Sequence, residues 1–237
     1  MAWVRTNRAQ AQFGFLSIND GSYFDNLQVV YDAVLPNFDE ISKFRVGVSV
    51  KVVGKVVLTP EMKQPFEIHA ASVEMLGDCP ENYPIQPKRH TREFLRENAH
   101  LRARTNLFSA VFRIRSVAAM GIHKYFQERG YVYVHTPLIT CADCEGSDQM
   151  FKITTLNMND LPLGEDGKVN FKEDLFAKQS FITGSGQLHG ETFAMAYSDI
   201  YTFGPTFRTE NSNTKTHANE FWMIEPEMAF CDLEGLM

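Results

Sequence analysis

The chain has little of what would anchor it to a membrane or cross-link it covalently. Its 237 residues contain no uninterrupted apolar run of the length, about eighteen residues, that a transmembrane helix requires. The segment from Met1 to Asp20 lacks the basic start and apolar run of a secretory signal. Four cysteines are too few and too scattered for a disulfide framework. We therefore expect a soluble cytoplasmic protein with reduced thiols and no membrane partner.

Two of these cysteines, Cys141 and Cys144, form a Cys-x-x-Cys pair. A structural zinc site needs a second pair of ligands, and Cys79 and Cys231 are isolated in the sequence. The spacing therefore favours plain loop thiols over a zinc or redox site, and we predict no metal ligands among them.

An excess of positive charge is also absent, because the formal net charge is -6. Nucleic-acid-binding proteins usually show a basic patch. The one local exception is the segment 88–104, which contains Lys88, Arg89, Arg92, Arg96, Arg102 and Arg104. Two interpretations stay open: this segment contacts the phosphates of a nucleic acid, or it is a solvated linker helix.

The composition is that of a globular protein, with 44% hydrophobic and 22% charged residues, and the length leaves room for two cores. Three prolines, Pro80, Pro84 and Pro87, precede the basic segment and indicate a connection between domains. The predicted organisation is a first domain at 1–77, a hinge at 78–105 and a second domain at 106–237.

The first domain has the pattern of a small barrel. Short apolar runs predict five strands, at 3–8, 13–18, 23–31, 46–58 and 66–76. Asn19-Asp20-Gly21 predicts a hairpin turn after the second strand, and residues 38–44 fit a short helix between the third and fourth. Five strands with a helix at that point predict an oligonucleotide-binding (OB-fold) barrel.

The second domain begins with an amphipathic pattern. Apolar residues recur every three or four positions from 106 to 129, which predicts a helix that Gly130 ends. A strand at 131–135 runs into Pro137. The acidic segment 157–174 is typical of a surface insertion, and a strand at 180–183 and a helix at 187–197 follow it.

The most informative stretch runs from 201 to 230 and predicts a long antiparallel hairpin joined by a polar loop at 211–217. Alternation along the second strand puts two sets of side chains on opposite faces. The predicted core face carries Trp222, Ile224, Pro226, Met228 and Phe230. The other face carries Phe221, Met223, Glu225 and Glu227, and Arg208 and Glu210 of the first strand are expected to face it.

This charged face suits a charged ligand. An arginine fork fits phosphate oxygens, an aromatic ring can stack on adenine, and carboxylates can hold an amine or an amide. The alternative is a network of ion pairs on a solvent-facing sheet.

Over nearly its whole length the sequence resembles class II aminoacyl-tRNA synthetases of the aspartyl, asparaginyl and lysyl subgroup. Phe207-Arg208-Thr209-Glu210 resembles the second motif of that class. The helix from Asn106 and the strand ending at Pro137 resemble its first motif, a dimer-interface element. Ala2-Trp3-Val4-Arg5 resembles the start of the subgroup's anticodon domain. The resemblance implies a multidomain α+β protein: an OB-fold barrel, then part of the class II antiparallel sheet with flanking helices.

The resemblance implies ATP as a substrate. Arg208 is then expected to hold the α-phosphate and Glu210 to contact the nucleotide, and these two are the expected catalytic residues. His217 is expected near the outer phosphates and Phe221 on the adenine ring. The implied reaction is attack of an amino-acid carboxylate on the α-phosphorus with loss of pyrophosphate, followed by acyl transfer to tRNA, driven by positioning and electrostatics. Mg²⁺ is the implied cofactor.

The resemblance also implies an amino-acid site in which Glu145 and Gln187 hold the ammonium group. Glu225-Pro226-Glu227 is expected to select the side chain, because a glutamate accepts hydrogen bonds from an amide nitrogen but repels a carboxylate. At this point aspartyl enzymes have a segment that resembles Ser-Pro-Gln-Leu-Phe-Lys, whereas this chain has Ser-Gly-Gln-Leu-His-Gly at 185–190. The cation that would pair with aspartate is absent, so asparagine is the expected substrate and tRNA(Asn) the expected partner.

In the barrel, the resemblance makes Arg8, Phe15 and Gln28 the expected anticodon contacts, with Phe15 stacking on a base and Gln28 binding a base edge. From residue types alone, core packing is the competing interpretation for the aromatic residues. A homodimer through segment 106–137 is also implied.

The chain departs from the family pattern at its end, because the third class motif and most magnesium-binding carboxylates would follow Met237. We therefore expect the 237-residue chain alone to be catalytically inactive. Three alternatives stay open: an aspartyl or non-discriminating enzyme, a non-catalytic RNA-binding paralogue, and an ammonia-ligating paralogue, which would have no use for the barrel.

Overall fold

The computed structural model of the chain describes residues 1–144, 150–210, 214 and 216–237. The chain divides into two compact units, Met1–Val117 and Ala118–Met237. Within the part that the structure describes, none of the helices combines the length and apolar character that crossing a bilayer requires.

The first unit contains a closed five-stranded barrel, which confirms the predicted architecture. Its strands follow the order β1-β2-β3-β5-β4, in which β3 and β5 run parallel and the other neighbouring pairs antiparallel. A short helix, α1, lies between β3 and β4 in the chain. The bounds of these elements are β1 Ala2–Ala9, β2 Phe13–Asn19, β3 Leu27–Asp32, α1 Phe38–Ile41, β4 Ser49–Leu58 and β5 Phe66–Gly77.

The hairpin predicted after β2 is present, because β2 and β3 pair antiparallel. The predicted start of the third strand at residue 23 is wrong, since β3 begins at Leu27 and residues 20–26 form a loop. Gly21 has a positive φ of 85°, as the turn chemistry requires. The side-chain amide of Asn19 donates to the carbonyls of Tyr23 and Asp25, at 3.2 and 3.1 Å. These bonds satisfy backbone carbonyls of the loop.

Alternation along the strands fills the barrel. Every second side chain of β2 and β3 points inward, as do Ala2 and Val4 of β1, and Val4, Leu16 and Val29 are completely buried. Tyr31 crosses β2 where that strand has Gly14; a Cβ at this position would lie 2.2 Å from the tyrosine ring. Only glycine therefore lets Tyr31 enter the core.

The segment predicted as a hinge packs against the barrel. Its buried residues Cys79, Tyr83, Ile85 and Leu95 belong to the same hydrophobic cluster as the barrel core. Helix α2, Arg92–Glu97, begins at Thr91, whose hydroxyl accepts from the Phe94 amide. The segment therefore buries apolar side chains against the barrel and leaves most of its basic side chains exposed.

The second unit is built on a three-stranded sheet, together with a small sheet of order β7-β9-β8. The main sheet has the order β11-β10-β6; β10 pairs antiparallel with β11 and parallel with β6. Helix α4 packs on β10 and β11. Helix α3, Asn106–Gln127, contains the point at Val117 where the chain is divided into its two units. The bounds of the elements that follow it are β6 Val132–Tyr133, β7 Ile139–Thr140, β8 Lys152–Ile153, β9 Ser180–Ile182, α4 Gln187–Tyr197, β10 Asp199–Phe207, β11 Glu220–Met228 and α5 Leu233–Leu236.

Tyr201 anchors the centre of this sheet. Its ring is fully buried and stacks on Phe126 of α3, with ring centroids 4.7 Å apart. Its hydroxyl lies 2.7 Å from Nδ1 of His123. Because neighbouring residues of a strand face opposite ways, anchoring Tyr201 on one face of β10 fixes Thr202 on the other.

The prediction that Trp222 and Ile224 form a core face is wrong for the described chain, since these side chains are 47% and 46% exposed. Trp222 makes an edge-to-face contact with Phe203, at 5.0 Å between ring centroids. Alternation determines which residues share a face, whereas another element has to cover that face before it becomes core.

Asp174, which is buried, connects the two ends of the acidic insertion. Its Oδ1 accepts from the Thr155 amide at 2.9 Å, the Thr155 hydroxyl at 3.1 Å and the Leu175 amide at 2.8 Å. These bonds favour the ionised carboxylate, and they lower the pKa of Asp174 to about 2, the Thr155 amide being the largest cause.

We predict an acid-sensitive insertion. Because the folded pKa of Asp174 lies below its ordinary value of 3.8, the stabilisation by its charge is complete above that pH and is lost as the pH falls through about 2. The amide resonances of Thr155 and Leu175 should therefore shift with a midpoint near that pH. In Asp174→Asn this titration should vanish; its persistence would contradict the assignment.

Candidate active site

The candidate site lies on one face of the hairpin formed by β10 and β11. The register of this ladder places Thr202 opposite Glu225 and Thr206 opposite Phe221. Side chains two positions apart on a strand share a face, and Phe221, Met223, Glu225 and Glu227 are all partly buried while their neighbours Trp222, Ile224 and Pro226 are exposed. The face predicted to carry the carboxylates is therefore a partly enclosed one.

Three hydrogen bonds fix the carboxylate of Glu225. Its Oε1 accepts from the hydroxyl of Ser185. Its Oε2 accepts from the Gly186 amide at 3.1 Å and from the Thr202 hydroxyl at 2.8 Å. All three donors belong to residues that are buried, so Glu225 is held against a part of the protein that has few conformational alternatives.

Glycine is required at position 186 for this arrangement. A Cβ there would lie 2.8 Å from the Thr202 hydroxyl, 3.0 Å from Glu225 Oε2 and 3.0 Å from the Thr136 hydroxyl. Contacts this short are rarely tolerated, and a methyl group would displace the glutamate or its partners. Gly186 therefore both donates to the carboxylate and leaves room for it.

Arg208, the residue after β10, contacts the same short segment. Its Nε and Nη2 each donate to the Gly184 carbonyl at 3.3 Å. Its guanidinium also lies 5.5 Å from the centroid of the Phe221 ring, within the range of a cation–π contact. The structure thus brings together Arg208 and Phe221, two residues for which the family resemblance implies nucleotide binding.

The segment 184–186 joins the two ends of the site, because Arg208 contacts its first residue and Glu225 its second and third. Gln187 follows directly and begins α4. Its amide donates to the Ser185 hydroxyl at 3.1 Å, and its side-chain amide donates to Glu191 at 3.1 Å. Gln187 therefore lies beside the residues that hold Glu225.

A second carboxylate makes this end of the site acidic. Burial raises the pKa of Glu227, and the nearby charges of Glu191 and Glu225 raise it further. Carboxylates that repel one another favour a cationic neighbour. An ammonium group is a natural occupant of such a corner.

The remaining predicted residues lie in or next to loops. Glu210 follows the end of β10, where its carbonyl accepts from the Asn219 side chain at 3.2 Å. His217 is exposed, and its Nδ1 is hydrogen-bonded to the Thr214 hydroxyl. Glu145 lies outside the described residues.

Sequence analysis missed Thr202. Its hydroxyl contacts Glu225 although the two residues are far apart in the chain. The signal that would have revealed it is the register of the hairpin, because pairing Phe207 with Glu220 also pairs Thr202 with Glu225. The length of the connecting loop sets this register, and residue patterns alone do not give it.

On the barrel, the predicted nucleic-acid contacts lie on the outer surface of the strands. The Arg8 guanidinium lies 5.7 Å from the centroid of the Phe15 ring, and Phe13 meets that ring edge-to-face at 5.5 Å. Phe13 is 38% exposed and Phe15 is partly buried. These rings pack on the surface of the barrel and not in its core.

Gln28 lines a neighbouring cleft of about 1210 Å³ between the 20–26 loop and the loop joining β4 to β5. Its side-chain amide donates to Glu67 at 2.8 Å, and His69 also hydrogen-bonds Glu67, at 2.9 Å. These two bonds, that of His69 first, lower the pKa of Glu67. A polar pair of fixed orientation that lines a cleft is suited to binding a polar base edge.

Within the described ranges, no group of three or more histidine, cysteine, aspartate or glutamate side chains is placed to hold a metal ion. All four cysteines are free thiols. Cys144 lies 4.0 Å from the Gln187 side-chain oxygen, and Cys141 lies 3.7 Å from the Ser180 hydroxyl.

Comparison with known proteins agrees with this geometry. Residues 91–237 match the family described as tRNA synthetases class II (D, K and N), and residues 1–76 match the OB-fold nucleic acid binding domain. The asparagine–tRNA ligase of Acholeplasma laidlawii is 59% identical over 236 residues, covering 99% of this chain and 51% of that protein. The asparagine–tRNA ligase of Clostridium novyi is 58% identical, with the same coverage.

Among solved structures, the asparaginyl-tRNA synthetase of Pyrococcus horikoshii complexed with asparaginyl-adenylate is similar, with a TM-score of 0.82 and 25% identity. The match covers 99% of this chain and 50% of that one. The chain thus spans about half the length of the curated relatives it matches. From the family match and the hairpin site together, the chain belongs to the class II tRNA synthetases of the aspartate, lysine and asparagine group.

Proposed function

We propose that this chain supplies the asparagine-binding and ATP-binding residues and the anticodon-binding barrel of an asparagine–tRNA ligase. The observation that carries the proposal is the fixed carboxylate of Glu225 on the same hairpin face as Arg208. Curated relatives with 58–59% identity bear the name asparagine–tRNA ligase. We also expect it in the cytoplasm, where charged tRNA is used.

Selection of asparagine follows from the chemistry of Glu225. A carboxylate accepts hydrogen bonds and donates none, so it favours the side-chain amide of asparagine and repels the carboxylate of aspartate. Gln187, Glu227 and Glu145 are the proposed contacts of the amino-acid end. The acidic corner around Glu227 suits the substrate ammonium.

Activation would occur at the other end of the segment 184–186. We assign Arg208 to the α-phosphate, where it neutralises charge that develops as the asparagine carboxylate attacks and pyrophosphate leaves. Phe221 offers its ring to adenine, while Glu210 and His217 would contact the nucleotide and its outer phosphates. Acyl transfer to tRNA(Asn) completes the proposed reaction.

Magnesium, when bound, would neutralise phosphate charge in such a reaction. The described residues offer no cluster of three or more suitable ligands for it. We therefore assign to the side chains of this chain the binding and the orientation of the two substrates.

The barrel is proposed to hold the anticodon loop. Phe15 would stack on a base, Arg8 would contact the backbone beside it, and Gln28 would bind a base edge. The contact between Arg8 and Phe15 and the orientation of Gln28 by Glu67 support these roles.

A homodimer through segment 106–137 is also proposed. None of the residues of α3, all of which are described, is buried. Ile114, Val117 and Met120 are 69%, 74% and 65% exposed. An apolar stripe of this kind is typical of a surface that a partner covers.

The first test is ligand selectivity. Calorimetry with non-hydrolysable analogues of asparaginyl-adenylate and aspartyl-adenylate should show about tenfold or greater preference for the asparaginyl form. Glu225→Gln, which can donate to a carboxylate, should reduce or abolish this preference. Equal binding of both analogues by the unmodified chain would indicate an aspartyl or non-discriminating enzyme instead.

The second test separates phosphate binding from general loss of charge. Arg208→Lys should weaken binding of ATP about tenfold, because lysine cannot form the planar two-pronged contact. The matched control is Arg129→Lys, since Arg129 also lies over an aromatic ring, 3.7 Å from the centroid of Tyr125. Equal effects of the two changes on ATP fluorescence titrations would count against the assignment.

The third test concerns the barrel. Phe15→Ala should weaken binding of an RNA hairpin with the asparagine anticodon loop by about 1–3 kcal/mol, the usual range for loss of base stacking. Phe24→Ala, at an exposed aromatic of the 20–26 loop, is the control and should have little effect. Retention of full affinity by Phe15→Ala in fluorescence anisotropy would exclude stacking at this residue.

A further inference from the structure

The side chain of Thr202 is buried and faces a carboxylate from the neighbouring strand. It is 4% exposed. Its hydroxyl donates to Oε2 of Glu225 at 2.8 Å, across the directly paired positions of β10 and β11. A hydrogen bond to a charged acceptor is stronger than one between neutral groups.

The three hydrogen bonds to Glu225 are distributed unequally between its two oxygens. Oε2 accepts two of them, from Thr202 and Gly186. Oε1 accepts one, from Ser185. Because each carboxylate oxygen has about two lone-pair sites, the protein fills those of Oε2 and leaves one on Oε1.

We propose that Thr202 is a positioning residue for amino-acid selection: with Gly186 it holds Oε2 of Glu225, so that Oε1 is the oxygen presented to the side-chain amide of the substrate. This inference rests on the proposed function and adds to it the residue that orients Glu225. Thr202 itself does not touch the substrate. It acts by restricting the rotation of the carboxylate, which otherwise could turn either oxygen outward.

The position of Thr202 makes this role specific. Tyr201 is anchored in the aromatic cluster on the opposite face, so the backbone cannot rotate to move the threonine away. The backbone of Gly186 also lies close to the Thr202 hydroxyl, since a Cβ on residue 186 would be 2.8 Å from it. The hydroxyl and the carboxylate are therefore confined against each other.

Three variants test the role of the hydroxyl. Thr202→Val keeps the shape and removes the donor, whereas Thr202→Ser keeps the donor and removes the methyl group. In calorimetry, Thr202→Val should lower the ratio of asparaginyl-adenylate to aspartyl-adenylate analogue affinity about tenfold. Thr202→Ser should restore most of that ratio. Thr192→Val, which removes an exposed hydroxyl that is bonded to the His189 carbonyl of its own helix, is the matched control and should leave the ratio unchanged.

A purely structural role predicts a different pattern, in which Thr202→Val weakens both analogues equally or Thr202→Ser fails to rescue the ratio. Either result overturns the inference. If the unmodified chain prefers neither analogue, the proposed function fails. The contact of Thr202 with Glu225 is then tested by NMR in the absence of ligand. In that case the Gly186 amide resonance should shift in Thr202→Val and return in Thr202→Ser; an unchanged resonance in both also overturns the inference.

Discussion

The fixed carboxylate of Glu225 is the interaction on which the site depends. A charged group in a partly buried position is unfavourable unless hydrogen bonds replace its lost hydration. Here the donors come from the Ser185–Gly186 turn and from the facing strand. The same turn accepts from Arg208 through the Gly184 carbonyl. One short segment, 184–186, therefore contacts both the anionic and the cationic end of the site.

The support for this segment comes from the opposite face of the sheet. On that face Tyr201 is buried against Phe126 and His123 of α3. On the face of the site itself, Ile200 lies beside Thr202 and packs with Ala194 of α4. Rigid packing behind a sheet holds the polar groups in front of it, since cores tolerate little displacement. In the barrel, too, a close-packed core supports polar and aromatic residues on the surface: Phe15, Arg8 and Gln28 lie outside the core.

Much of the fold could be predicted from the sequence because strong local patterns carry it. The barrel strands, the long helix ended by Gly130 and the hairpin were all predicted from alternation, periodicity and glycine chemistry. The errors occurred where a distant partner decides the outcome. The third strand begins later than predicted, after a loop whose carbonyls accept from Asn19. The Trp222 face is exposed, and alternation alone could not show whether another element covers it.

The sequence by itself determined the chemical content of the site: an arginine, an aromatic ring and carboxylates at alternating positions of a hairpin, together with the motifs that mark the family. Only the tertiary structure decided how those groups are held. Thr202, Gly186 and Ser185 approach Glu225 from separate parts of the chain. Their contact with Glu225 depends on the register of the two strands and on the absence of a Cβ at Gly186. Both are matters of position in space, which a pattern of residues along the chain does not give.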